Sequence, residues 1–431
     1  MTEKSKTPSS SLLFANASAV VTCAGPARGR RGEEMSDVAA VAGVAVVTVG
    51  DSFAAVGDLR ELRRKYPSAK EIDCGAGVLT PGLVDSHTHA VFGRSRADEQ
   101  EMRASGLGYM EIAAKGGGIH SSVRDVRERT EDELLALALP RVRRLMSYGT
   151  TTVEIKSGYG LATRDELKML SVIKRLSEAL PLRVVATFLG AHEIPLEFRE
   201  RKNGRSEFLD LLVDEMIPAV AKQGIAKFAD VFCEPGVFTV DETRRILTAA
   251  KAAGLAAKLH ADELEPSGGA ELAAEIGASS ADHVAAVSAE GIRALAASET
   301  VATALPGTML FLGRTKNAPV RGLIDAGAAV ALATDFNPGT SPTPNIPLMM
   351  MLGTSVLHMS AAEAMTAVTV NGAAALGLAG VTGQIAPGFS ADLSLFEIDD
   401  WRELGYWYGD RRCIGSWCRG EPCHSLERGL S

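Results

Sequence analysis

His87 and His89 close an apolar, strand-like run, Val78–Asp85. Residues two apart in a β-strand project from one face, so these imidazoles can converge on a metal ion. The plain alternative is a pair of core or surface histidines, and H-x-H alone does not decide between them. The rest of the chain does. Of its eight histidines, five (His87, His89, His192, His260 and His283) end runs of this kind, and Asp335 ends another. Three imidazoles and a carboxylate, with a position left open for water, suit a catalytic zinc or iron ion. His87, His89, His260 and Asp335 form the expected ligand set. Asp335 shares parity with Ala329, Ala331 and Ala333, small residues expected to point inward, while Val330 and Leu332 face outward onto helices. The Pro338-Gly339 loop that follows argues against a simple helix N-cap at Asp335.

A metal site needs a group to manage protons. Glu263 follows His260 by three residues, so the two face oppositely unless the chain turns at about Asp262. A solvated loop carboxylate is the bland reading. His283 can polarise a carbonyl or pass a proton, or merely hydrogen-bond beside the site. His192 is a substrate contact or a core-edge histidine. Arg96 and Tyr159 fall in loops after the first two strands, and an arginine fork suits a substrate carboxylate. Glu154, Lys156 and Lys258 share inward parity and are expected to form a buried ionic layer below the site. A carbamylated Lys156 bridging two metals is the alternative, but the set above already closes a one-metal site.

These residues need a scaffold that brings strand ends together. The run ending at His87 and His89 is followed by seven more: 150–156, 183–192, 228–234, 257–260, 279–283, 301–306 and 329–335. Helical patterns lie between them at 131–147, 164–180, 208–223, 240–253, 268–276 and 288–297. Gly149, Gly224, Gly254, Gly277 and Gly327 stand where helix C-caps belong. Eight such repeats predict an α/β fold, a (β/α)8 TIM barrel whose site lies at the C-terminal ends of the strands. A doubly wound sheet would need an early glycine-rich phosphate turn. Gly116-Gly117-Gly118 does not match that pattern and reads as a mobile loop. Residues 1–80 and 382–431 are expected to pair into a small composite β-sandwich domain beside a barrel over 81–381.

Net charge is −8, without a basic run, so non-specific nucleic-acid binding lacks its driver. No stretch reads as a membrane span, and no clear signal peptide opens the chain. Six cysteines in 431 residues make no disulfide framework. Cys413, Cys418, Cys423 and His424 match no standard structural-zinc spacing, and free thiols in a cytoplasmic protein are expected.

From Leu12 to about Leu395 the chain resembles the imidazolonepropionases of the amidohydrolase superfamily. The resemblance is carried by Pro81–His89, Val91–Arg96, Tyr109–Ile112, Gly116–Ser121, Val153–Gly160, Phe188–His192, His260–Glu263, Ala281–His283 and Ala333–Gly339. H-x-H marks only the superfamily, whereas the blocks around Tyr159 and Asp335 are specific to the family. The resemblance implies hydrolytic opening of the 4-imidazolone-5-propanoate ring to N-formimidoyl-L-glutamate, in histidine degradation. It implies one Zn2+ or Fe3+ per subunit on His87, His89, His260 and Asp335, with Glu263 activating water and His283 assisting. Arg96, Tyr109, Tyr159, His192 and Glu263 would hold the small anionic substrate, with Asn337, Gly339 and Thr340 lining the pocket. A homodimer is implied by the resemblance alone. Arg94 stands where the family often has glycine, and nothing carries over beyond Trp401. Two rivals remain at this point: a single-metal deaminase, which would release ammonia, and a catalytically dead barrel, which would be indifferent to loss of its ligands.

Overall fold

The computed structural model describes residues 10–107, 111–112 and 116–425. Eight parallel strands form one sheet in sequence order: β1 (Leu83–Asp85), β2 (Thr150–Lys156), β3 (Arg183–Ala191), β4 (Phe228–Cys233), β5 (Ala256–Ala261), β6 (Ser280–His283), β7 (Val301–Ala304) and β8 (Val330–Leu332). The barrel closes just beyond β1 and β8. There Asp335 N donates to His87 O (3.0 Å) and His89 N to Phe336 O (2.9 Å). On its other side, Thr88 O accepts Lys156 N (2.9 Å). This alternating pairing keeps residues 87 and 89 on one face.

The expected inward parity of the last strand holds. Ala329 and Ala331 pack with Val301 and Ala375, while Val330 and Leu332 join the large cluster shared with the helices. The helix Val370–Ala375 packs across the strand starts, its Ala373 clustering with Val84, Val185 and Phe228. The expected helices form at Glu131–Met146, Thr163–Ala179, Val240–Ala252, Gly269–Glu275 and Ala289–Ala296. Capping boxes start two of them, at Thr130/Glu133 and Thr239/Glu242. Helical structure over Gly204–Gln223 contains a π turn at Leu212–Met216, which residue spacing did not foretell. All five glycines read as C-caps have positive φ.

Two further sheets lie outside the barrel. One orders Ser52–Gly57, Ala45–Val49, Ser11–Ala15 and Lys70–Asp73. The other orders Glu421–Ser425, Cys413–Cys418, Leu393–Phe396, Val78–Pro81, Ala19–Val21 and Ala40–Val41. Phe14, Val46 and Phe53 of the first pack with Val20, Leu79, Leu393 and Trp417 of the second. Both chain ends thus feed one apolar interface between facing sheets.

Val78–Asp85 is not one strand, as its apolar run suggested. It breaks at Gly82, leaving Val78–Pro81 in the outer sheet and Leu83–Asp85 in the barrel. Gly82 N donates to Asp392 O (2.9 Å) while Leu83 N donates to Gly149 O (3.0 Å), so the chain changes sheets within one residue. A Cβ on Gly82 would overlap the buried Thr151 side chain. Gly82→Ala is therefore expected to lower stability by about 1–3 kcal/mol. An unchanged denaturation midpoint would contradict the tight crossing.

Candidate metal centre and active site

The strand ends carry the expected side chains to one place. Nitrogen atoms of His87, His89 and His260 lie within 4.8 Å of one another. Asp335 Oδ1 stands 3.6 Å from His87 Nε2 and 3.5 Å from His89 Nε2. All four residues are buried. His87 Nδ1 bonds to Asp282 Oδ2 (2.7 Å) and His260 Nδ1 to Asp230 Oδ1 (3.0 Å). These bonds leave His87 Nε2 and His260 Nε2 buried and without a hydrogen-bond partner among the described residues. Each orphaned polar atom costs roughly 1–3 kcal/mol, a penalty that coordination of a cation would remove. Burial first, then Lys156 for His87 and His260 and the neighbouring His192 and His260 for His89, hold all three histidines well below their usual pKa. Neutral imidazole with a free lone pair is the ligating form. The residues present fit a metal ion.

Below the imidazoles lies the ionic layer expected from Glu154, Lys156 and Lys258. Lys156 Nζ reaches Glu154 Oε1 and Asp230 Oδ2, both at 2.7 Å, and Lys258 Nζ lies 3.5 Å from Asp282 Oδ2. Burial opposes the charge on Lys156, but Asp230, Glu154 and Asp282 outweigh it and raise its pKa. Lys156 is thus a saturated cation between carboxylates, where carbamylation would remove the charge they pair with.

Glu263 and His283 face each other across the mouth, His283 Nε2 lying 3.5 Å from Glu263 Oε2. The expected turn is at Asp262, whose φ is +51°. His283 (+76°), Val284 (+46°) and Asp335 (+51°) also take left-handed conformations, so backbone strain gathers at the ends of β5, β6 and β8. Burial, followed by the negative Asp335 and Glu234, pushes the Glu263 carboxyl up to about 8. Burial lowers His283 to about 4. His192 stacks on His89 (5.2 Å between centroids, 17°) and Tyr159 tilts against it at 5.5 Å. His192 Nδ1 is anchored on Gly158 O (2.9 Å).

The rim departs from expectation in three places. The Arg96 fork is engaged: Nε and Nη2 bind the buried Glu99 at 2.8 and 2.7 Å. The guanidinium's Nη1 instead approaches Gly339, where a Cβ would overlap it. The polar atoms of Asn337 staple their own loop, accepting from Gly339 N and Thr340 N at 2.8 Å and donating to Asp335 O at 2.7 Å. The triglycine segment is tied down, Gly117 N donating to Ile112 O (3.0 Å) and Gly118 N to Glu99 Oε1 (2.9 Å). Arg94 is exposed, and its backbone N donates to Asp125 (2.7 Å). Tyr109 lies outside the described residues. Cys413, Cys418 and Cys423 are free, as are the other three cysteines.

Sequence reading missed Asp230, Asp282 and Glu99. The first two stand out only once the strand register is known, Asp230 pairing with Lys258 and Asp282 with His260.

The description "Amidohydrolase family" fits residues 78–421. Imidazolonepropionase from Geobacillus kaustophilus (strain HTA426) is 46% identical over 381 residues, 88% of this chain and 89% of that protein. Imidazolonepropionase from Chloroflexus aggregans (strain MD-66 / DSM 9485) is 43% identical over 407 residues, 92% and 95% of the two chains. In fold, the chain matches an adenosine deaminase from Xanthomonas campestris crystallised with bound zinc (TM-score 0.71, 17% identity, 99% and 95% coverage). It also matches an amidohydrolase from a Sargasso Sea environmental sample (TM-score 0.70, 22% identity, 98% and 95% coverage).

Partners that orient ligating histidines typically govern affinity by about 10–100-fold. Asp230→Ala is expected to weaken zinc binding by about that factor in competition with a chromophoric chelator. Unchanged affinity would show that Asp230 does not orient His260.

Proposed function

This chain belongs to the amidohydrolase family, and we propose that it opens the ring of 4-imidazolone-5-propanoate with water, giving N-formimidoyl-L-glutamate. The observation that carries this reading is 46% identity to an imidazolonepropionase over 88% of the chain. His87, His89, His260 and Asp335 would hold one Zn2+ or Fe3+. When bound, that ion acidifies a water and polarises a carbonyl.

Glu263 takes the proton of the attacking water and returns it to the ring nitrogen as the C–N bond breaks. Its burial favours holding that proton in between. His283 is neutral in this setting and donates a hydrogen bond to the carbonyl oxygen as negative charge develops there. Arg96, fixed by Glu99 through Nε and Nη2, offers Nη1 to the propionate. Tyr159 and His192 form a wall against His89, and Asn337 shapes the loop that presents Gly339 and Thr340. Tyr109 is a further substrate contact in the proposal. The pattern of strands and turns supports a composite domain of 1–80 plus 382–431 beside a barrel over 81–381, the six free cysteines support a cytoplasmic setting, and resemblance alone supports a homodimer. Among the described residues, no helix is long and apolar enough to cross a membrane.

Purified protein is expected to consume the imidazolone absorbance without releasing ammonia, and to lose activity on chelation. Ammonia release would indicate a deaminase. Asp335→Asn is expected to abolish turnover, and retained activity would refute its role as a ligand. Arg96→Ala is expected to raise KM for the propionate substrate by about tenfold or more, the loss of a charge-assisted hydrogen bond. An unchanged KM would remove Arg96 from the carboxylate site.

A further inference from the structure

Glu263 sits on a turn that leaves β5 through a strained residue, Asp262. Nothing in the regular sheet holds such a turn. Two buried carboxylates do. Asp262 Oδ1 accepts from Ser267 N (2.6 Å) and Gly268 N (3.1 Å), and its Oδ2 from Ala270 N (2.9 Å), closing the far side of the loop. The near side is held from a different strand. Glu234, the residue after β4, is 2% exposed. Its Oε2 accepts Glu263 N (3.1 Å), and its Oε1 accepts Leu264 N (3.0 Å) and Glu265 N (2.8 Å). Three consecutive amides aimed at one carboxylate make an anion-binding nest. The nest is built around the backbone of Glu263 itself.

Placement of a proton-transferring group matters steeply, since an error near 1 Å can cost about 100-fold in rate. A salt bridge from a side chain would leave the backbone of Glu263 free to swing. A carboxylate on its N–H fixes where the side chain begins. Glu234 has no role in binding the metal or the substrate as described above, and no ion pair from it to a cation appears among the described residues. Both of its carboxylate oxygens are taken up by these amides.

We propose that Glu234 is a positioning residue: by gripping the amides of residues 263–265 it sets the location of the Glu263 carboxylate over the reacting centre. The inference rests on Glu263 being the proton carrier of the proposed ring opening.

The test is a double-mutant cycle on the metal-loaded full-length enzyme, read as single-turnover rate and KM with the imidazolone. Glu234→Gln keeps the shape but turns an NH2 toward one of the donors. It is expected to lower the rate about 10- to 100-fold, with KM within about twofold and bound metal unchanged. In a Glu263→Gln background the same change is expected to have almost no further effect, because residues acting through one another are not additive. Glu234→Asp draws the carboxylate back by one methylene while keeping the charge. It is scored on the same cycle and decides the matter should the glutamine variant not fold. Equal losses with and without the Glu263 carboxylate, or loss of metal in parallel with rate, would overturn the positioning role while leaving the ring-opening reading intact. A wild-type enzyme inert toward the imidazolone would overturn both.

Discussion

The structure turns on keeping imidazoles neutral and aimed inside a buried barrel interior. Charges without partners in such an interior cost several kcal/mol each. The chain meets this with a layer in which every charge has an opposite neighbour. Lys156 lies between Glu154 and Asp230, and Lys258 within reach of Glu154 and Asp282. Two of these carboxylates also face upward, Asp282 to His87 and Asp230 to His260. One set of contacts therefore compensates the lysines, fixes which ring nitrogen carries the proton, and leaves the other nitrogen free. Three carboxylates thus stand with two lysines beneath the histidine cluster.

Three of the four proposed ligands also lie on the seam of the barrel. The ladder between the first and last strands continues through His87, His89, Asp335 and Phe336, so closing the sheet also brings His87, His89 and Asp335 together. Asp85 reinforces it, accepting Thr334 N at 3.0 Å and Thr334 Oγ1 at 2.6 Å. Left-handed backbone at Asp262, His283 and Asp335 is the local cost of turning side chains into the mouth. That strain persists because regular sheet below and hydrogen-bonded loops above hold it from both sides.

Much of this was legible in order along the chain. Strand parity placed Asp335 inward, and glycine positions marked helix ends, because both follow from local geometry. The need for a turn at Asp262 followed from the spacing of His260 and Glu263. What escaped were features set by contacts between distant segments. The break at Gly82 depends on Thr151 and Asp392, which belong to other elements. The engagement of Arg96 by Glu99 competes with the expected substrate fork, and spacing alone cannot say which carboxylate an arginine will take. Asp230 and Asp282 looked like ordinary strand residues until their register neighbours were known. The grip of Glu234 on residues 263–265 leaves no sequence pattern, since its partners are backbone amides.

X-ray absorption at the metal edge, on protein loaded with one equivalent of Zn2+, tests the central claim most directly. The account predicts a shell of light atoms only, at about 2.0–2.1 Å, with the multiple-scattering signature of imidazole rings. Sulfur scattering at about 2.3 Å, or a shell without imidazole, would place the ion elsewhere and contradict it.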